Sequence, residues 1–170
     1  LGEYIKARES FQASLELEPQ NKGALFNLGN LYYGLKEYDS ARVYYQATAD
    51  NYPEFKWPLL YLGNIATRNQ AYDSAIRYYS EYLKRDTASG EVYFRRAVLY
   101  SEMRQWDKAI ADWDRTLHLD GADSEAYRNR GLAWFQLEDY QKALEDFNKS
   151  IAIDPEPYTF INRGYTYYLL

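Results

Sequence analysis

Asparagine recurs in this 170-residue chain at positions that keep two registers. Asn30 and Asn64 stand 34 residues apart (64 − 30), Asn129 and Asn162 stand 33 apart (162 − 129), and Asn27 lies one helical turn before Asn30. A carboxamide donates through its nitrogen and accepts through its oxygen, and an extended polypeptide offers the matching C=O and N–H groups. A row of such amides can hold a peptide by its main chain with little regard to its sequence, each bond contributing ~0.5–1.5 kcal/mol net. Arg95 and Arg128 add guanidinium groups suited to an acidic ligand group. Trp57, Phe94 and Phe135, with Phe26 and Tyr33 nearby, offer rings for apolar side chains. The competing reading is that these amides bond locally to the backbone or to water.

Other chemistry finds little support. His118 is the single histidine, whereas a metal site needs several converging ligands and a catalytic imidazole needs an oriented partner. It reads as a solvated residue at a helix C-terminus. Asp107, Asp112 and Asp114 lie close together, but residues two apart on a helix face different ways; they read as a solvated face, with Asp107 suited to the dipole of a helix start. No phosphate loop, nucleophile elbow or metal-binding helix motif is present. The chain contains no cysteine, which removes disulfides, thiolate nucleophiles and Cys-ligated zinc. No catalytic, cofactor-binding or metal-binding residue is expected, and the protein reads as a non-enzyme. A net charge of −5 argues against a nucleic-acid groove, which needs clustered Lys and Arg. No apolar run reaches the length of a membrane span.

The elements that must position the candidates are short amphipathic helices. In the stretch 124–155 one helix puts Tyr127, Gly131, Trp134 and Leu137 on one side, and the next does the same with Tyr140, Ala143, Phe147 and Ile151. Spacings of three and four place residues on one face of a 3.6-residue helix. Pro155 then stops the second helix, because proline lacks the N–H and its ring clashes with the preceding turn. The unit recurs. A small residue followed four later by a ring appears as Ala7/Phe11, Ala41/Tyr45, Ala75/Tyr79, Ala109/Trp113 and Ala143/Phe147, the alanines always 34 apart. A second register runs through Gly29, Gly63, Ala97, Gly131 and Gly164 in steps of 34, 34, 34 and 33. The small residues let neighbouring helices approach, and rings such as Tyr72 and Trp106 are expected to fill the space beside Gly63 and Ala97.

These registers resemble the tetratricopeptide repeat, whose pattern is W-x2-L-G-x2-Y, then A-x3-F, then P, over 34 residues. The first part reads Leu25-Leu28-Gly29-Tyr32, Leu59-Leu62-Gly63-Ala66, Tyr93-Arg96-Ala97-Tyr100, Tyr127-Arg130-Gly131-Trp134 and Phe160-Arg163-Gly164-Tyr167. The resemblance covers the whole chain. It implies an all-α fold, a right-handed superhelical α-solenoid of antiparallel helix pairs, whose first helices line a concave groove. On that groove it places Asn27, Tyr61, Arg95, Asn129 and Asn162 in one row and Asn30, Asn64, Val98, Leu132 and Tyr165 in another. The asparagines are similar to the ladder in the repeat region of the O-linked N-acetylglucosamine transferase family. The carboxylate clamp of chaperone-binding members is not matched: Asn30 and Arg95 fit, but Phe26 and Glu91 stand at the lysine places and Tyr61 at the middle asparagine.

The registers divide the chain into a partial unit 1–21, full units 22–55, 56–89, 90–123 and 124–156, and a partial unit 157–170. The first is a second helix at 4–18 with a buried stripe of Ile5, Ala7, Phe11 and Leu15. Both ends fall inside a unit, so a piece of a longer protein is expected, with end-to-end self-association through the unpaired terminal helices. The function expected is a non-enzymatic protein–protein interaction module that binds an extended peptide or a partner helix in the groove, with no nucleic-acid partner. The peptide-binding candidates are Asn27, Asn30, Trp57, Asn64, Phe94, Arg95, Arg128, Asn129, Phe135 and Asn162. The alternatives are a structural scaffold or self-associating spacer, and the recruiting arm of an enzyme.

Overall fold

Gly, Pro and the repeated turn residues cut the chain into helices of three to four turns. The computed structural model describes residues 2–170. Among them are ten helices and no strand: α1 Gly2–Leu17, α2 Lys22–Gly34, α3 Tyr38–Asn51, α4 Trp57–Arg68, α5 Tyr72–Arg85, α6 Gly90–Glu102, α7 Trp106–Leu119, α8 Ser124–Gln136, α9 Tyr140–Ile153 and α10 Pro157–Leu169. They form two bodies, one ending at Asp86 and one beginning at Thr87. In the first, α2 pairs with α3 and α4 with α5, while α1 lies against α2; in the second, α6 pairs with α7, α8 with α9, and α10 packs on α9.

Each hairpin turns through the same device. Lys36, Gln70, Arg104 and Glu138 have φ of 63°, 58°, 55° and 62°, a left-handed conformation that costs a non-glycine residue about 1–2 kcal/mol. The conformation lets two backbone N–H groups fold back onto the ending helix. Lys36 N–H donates to the Tyr33 carbonyl and Glu37 N–H to that of Tyr32, and the pattern repeats at residues 70–71, 104–105 and 138–139. This satisfies carbonyls that the helix end would otherwise leave unpaired. At the helix starts, the side chains of Asn21, Asp123 and Asp139 accept from the backbone N–H groups of Ala24, Ala126 and Lys142, and Pro58 sits in the first turn of α4.

The small residues sit where helices touch. A Cβ added at Gly29 would come within 2.7 Å of two Tyr45 ring carbons, and one at Gly131 within 2.8 Å of the Phe147 ring. Gly63 meets Tyr79 in the same way. The ring beside Gly63 is therefore Tyr79 rather than Tyr72: both lie on α5, but Tyr79 comes two turns later, level with Gly63 on α4. Ala41, Ala75, Ala109 and Ala143 are fully buried on the opposing helices.

Two expectations need correction. The stripe of α1 is only partly buried: Ala7, Phe11 and Leu15 are half-covered, Ile5 stays exposed and no residue of the helix is fully buried, because its main packing partner is α2. Asp112 is not on a solvated face. It is 5% exposed and accepts two bonds from Arg96, Nε to Oδ2 and Nη2 to Oδ1, both at 2.7 Å. Asp146 takes the same part with Arg130, at 2.8 and 2.7 Å. Asp114, two residues after Asp112, faces the other way and is bonded by Arg130 Nη1 at 2.5 Å. Burial pushes the Asp112 carboxyl above the ordinary aspartate range against the pull of Arg96. Burial favours loss of the Arg130 proton, but its bonds to Asp146 and Asp114 prevail and hold the guanidinium firmly charged. His118 lies exposed in the last turn of α7, and Asp107 in its first.

Candidate functional site on the first-helix faces

In the second body the first helices α6 and α8, together with α10, present clefts. One cavity of about 500 Å³ lies over Val98, Trp106, Trp113, Asn129, Leu132 and Gln136. A second, of about 310 Å³, is bounded by Leu132, Phe135, Gln136, Asn162 and Tyr165. Leu132 and Gln136 line both, so the cavities adjoin across α8. The second has mainly apolar walls, the first also carries Ser101, Glu102 and Arg104, and Asn129, Gln136 and Asn162 place carboxamides along them. The indole Nε1 of Trp113 is buried without a hydrogen-bond partner. Helical periodicity explains the assembly: Asn129, Leu132 and Gln136 follow at three and four residues and share one face.

The other candidates of this body are engaged elsewhere. Arg95 Nη2 pairs with Glu91 Oε1 at 2.7 Å along its own helix, in solvent. Arg128 pairs with Glu125 at 3.7 Å and with Glu156, the residue that precedes α10. Phe94 packs against the core of Ala97, Ala109, Ile110 and Trp113. The structure thus brings Asn129, Phe135 and Asn162 to the clefts and turns Arg95, Arg128 and Phe94 to local partners.

In the first body the first helices α2 and α4 carry an aromatic pavement. Tyr61 stacks on Tyr45 at 4.9 Å between ring centres, and Tyr33 and Phe26 meet Tyr61 at 5.3 and 6.1 Å. Asn30 and Asn64 stand beside it, half-buried. The Tyr45 hydroxyl donates to Asn30 Oδ1 at 2.9 Å, and the Tyr79 hydroxyl to Asn64 Oδ1 at 2.8 Å. Asn27 is exposed on α2. Trp57, at the start of α4, is 43% exposed; the Lys56 ammonium lies 4.9 Å from its ring centre and pairs with Asp86 at 2.5 Å. The hydrogen bond to Asp86 raises the Lys56 pKa.

Sequence reasoning missed Gln136, which stands five residues after the small residue of α8 and was reachable through the repeat register. It also missed the tyrosine hydroxyls. Their signal is that Asn follows the small residue where the partner ring is Tyr45 or Tyr79, but Val98 and Leu132 follow it where the ring is Trp113 or Phe147. Among the described residues no group of three or more acidic or histidine side chains could hold a metal, and no helix is long and apolar enough to cross a membrane.

Models of the tetratricopeptide repeat match residues 1–54 and 97–160. No curated protein matches the sequence. Among solved structures, YrrB, described as a TPR protein with an unusual peptide-binding site, superposes with a TM-score of 0.84 at 20% identity, covering 96% of this chain and 84% of its own. A MamA fragment from Desulfovibrio magneticus RS-1 gives 0.80 at 20% identity, covering 88% and 85%. The Arabidopsis OM64 TPR domain gives 0.64 at 22% identity, covering 68% and 96%.

Proposed function

This chain belongs to the tetratricopeptide repeat family, and we propose that it is a non-enzymatic module that binds an extended peptide on its first-helix faces. The observation that carries the reading is the pair of adjoining cavities at Leu132 and Gln136. Alternate side chains of an extended strand leave on the same side about 7 Å apart. The hollow at Leu132, Phe135 and Tyr165 suits an apolar side chain, its neighbour, where Glu102 and Arg104 stand beside Val98 and Trp106, suits one with a polar end, and Asn129, Gln136 and Asn162 suit the main chain between them. In the first body, Trp57 and the aromatic pavement offer apolar contacts of the same kind. YrrB shows that the fold can serve peptide binding.

The test is an array of random peptides probed with the protein and with Phe135→Ala and Asn162→Ala, each checked for an unchanged melt. Weaker binding by both variants supports the reading. Binding untouched by either refutes it for this face. A second reading, self-association through α10, is favoured by the exposure of Tyr165, Tyr167, Tyr168 and Leu169 on that helix; exposed apolar surface of this kind drives association. Light scattering that finds a strict monomer at high concentration removes it.

A further inference from the structure

Arg96 and Arg130 stand one residue before the small residue of α6 and α8. Each turns its fork onto an aspartate sixteen residues later on the following second helix, Arg96 onto Asp112 and Arg130 onto Asp146. Arg163 holds the same place before Gly164 on α10, and its posture is the same. The Arg130 guanidinium lies 5.6 Å from the centre of the Tyr127 ring, three residues earlier, and that of Arg163 lies 5.3 Å from the centre of Phe160. Arg130 Nη1 donates to Asp114 on the preceding second helix, and Arg163 Nη1 donates to Asn148 at 2.7 Å, in the matching place on α9. The other edge of the fork differs. Nε and Nη2, which hold the aspartate in α6 and α8, make no hydrogen bond on Arg163 among the described residues. Its neighbour differs in the same sense: the Phe147 ring fills the space at Gly131, but a Cβ added at Gly164 meets nothing within 4 Å. A hollow of about 400 Å³ lies there, bounded by Ile161, Gly164, Tyr165 and Tyr168.

We propose that this side of α10 is a docking surface for an amphipathic helix of another protein, one that carries a small residue, an aspartate three later and a ring four later. Arg163 selects the aspartate and Gly164 seats the ring. The pattern is that of the helices in the equivalent places, Ala109–Asp112–Trp113 in α7 and Ala143–Asp146–Phe147 in α9. Both of those already serve their own hairpins, so the helix comes from elsewhere. Charge makes the selection. A carboxylate at the aspartate place meets Nε and Nη2 together, a bidentate charge-assisted contact. A helix that covered Arg163 without one would strand a charge away from water. Ile161 and Tyr168, both exposed, supply apolar contact around the seat. A second copy of this chain is the poorer match. Its α1 offers Ala7 and Phe11 at the right spacing, but puts Ser10 at the acid place, with the hydroxyl donated to the Lys6 carbonyl. The proposal stands apart from peptide binding in the clefts of α6 and α8.

The experiment supplies such a helix in trans to the whole chain, 15N-labelled. The probe is a synthetic peptide of residues 139–154, which carries Ala143, Asp146 and Phe147. Because a helix this short is marginal alone, a hydrocarbon bridge replaces Gln141 and Glu145, which are exposed on α9. The amides of Ile161, Gly164 and Tyr168 should move, and Asn129 should not. The peptide with Asp146→Asn should bind about tenfold more weakly, as should the parent peptide to the Arg163→Leu protein. Gly164→Leu, which fills the hollow, should abolish binding. The peptide change leaves the protein untouched, so the charge test stands whatever the protein variants do to the melt. Equal binding of the two peptides would overturn the selection by Arg163. No movement on α10, or movement centred on α8 as if the peptide had replaced α9, would overturn the docking surface. Light scattering of the protein alone that finds dimers, lost in Gly164→Leu, would overturn the choice of occupant and give the face to a second copy.

Discussion

Replacing Arg96 by Leu and Asp112 by Tyr together should leave the protein nearly as stable as the parent, although either change alone should damage it. The reason lies in how the repeats fill the same two places. In the first body they are held by Leu28 with Tyr44 and by Leu62 with Tyr78; in the second by Arg96 with Asp112 and by Arg130 with Asp146. Leu28 and Leu62 are fully buried, and Tyr44 stacks on Tyr32 at 5.5 Å with the rings 6° from parallel. Tyr100 stands in the second body where Tyr32 stands in the first, so a tyrosine at 112 has a ring to meet. Removing one partner strands a charge: the Arg96 and Asp112 side chains are only 17% and 7% exposed. Breaking a buried pair costs about 3–5 kcal/mol, whereas exchanging the whole pair for packed apolar groups is often neutral. Each single change should therefore cost about 3 kcal/mol and the double change about 1 kcal/mol or less, a strong coupling between neighbours. Urea unfolding of the four proteins, with hydrogen exchange to localise the loss to α6 and α7, measures it. Additive single effects, or a cost for Asp112→Tyr as small as that of a surface ion pair, about 0–1 kcal/mol, would refute the reasoning.

Other substitutions test the packing and the turns. Gly63→Ala should destabilise by about 1–3 kcal/mol despite its gain in helix propensity, because the added carbon meets the buried Tyr79 ring. Gly34→Ala meets nothing within 4 Å and should stabilise by up to about 1 kcal/mol; thermal melts separate the two. Gln70→Gly relieves a left-handed residue and should add about 0.5–1 kcal/mol in the same assay. The Lys142 ammonium, 2.7 Å from Asp139, holds that carboxyl below the ordinary aspartate range. A depressed folded value means stabilisation that is present above the unfolded value near 4 and lost as pH falls through the folded one. Asp139→Asn should therefore melt lower than the parent near neutrality, and the gap should close in acid.

The repeat was legible because its signal is spread over every unit. The glycine and alanine registers fixed which helices pair, and the contacts of Gly29 with Tyr45 and Gly131 with Phe147 follow from them. What one residue does within the register was harder to read. Asp112 looked solvated among other carboxylates, because nothing local shows that a residue sixteen positions away points back at it. Comparing repeats would have shown it, since Leu/Tyr in one body becomes Arg/Asp in the other. The Asn30–Tyr45 bond is hidden in the same way. Arg95 with Glu91 was within reach of the four-residue rule, but Arg128 with Glu156 was not, because that pair forms only when α10 folds beside α8.

The central claim is that a peptide lies on the first-helix face of the second body. The direct measurement is an amide-shift map of the labelled protein with and without the strongest peptide from a random array. The account expects the largest changes at Asn129, Leu132, Phe135 and Asn162, with the second-helix residues Lys108 and Lys142 unmoved. Changes centred on α7 and α9, or confined to Tyr167, Tyr168 and Leu169 of α10, would contradict it.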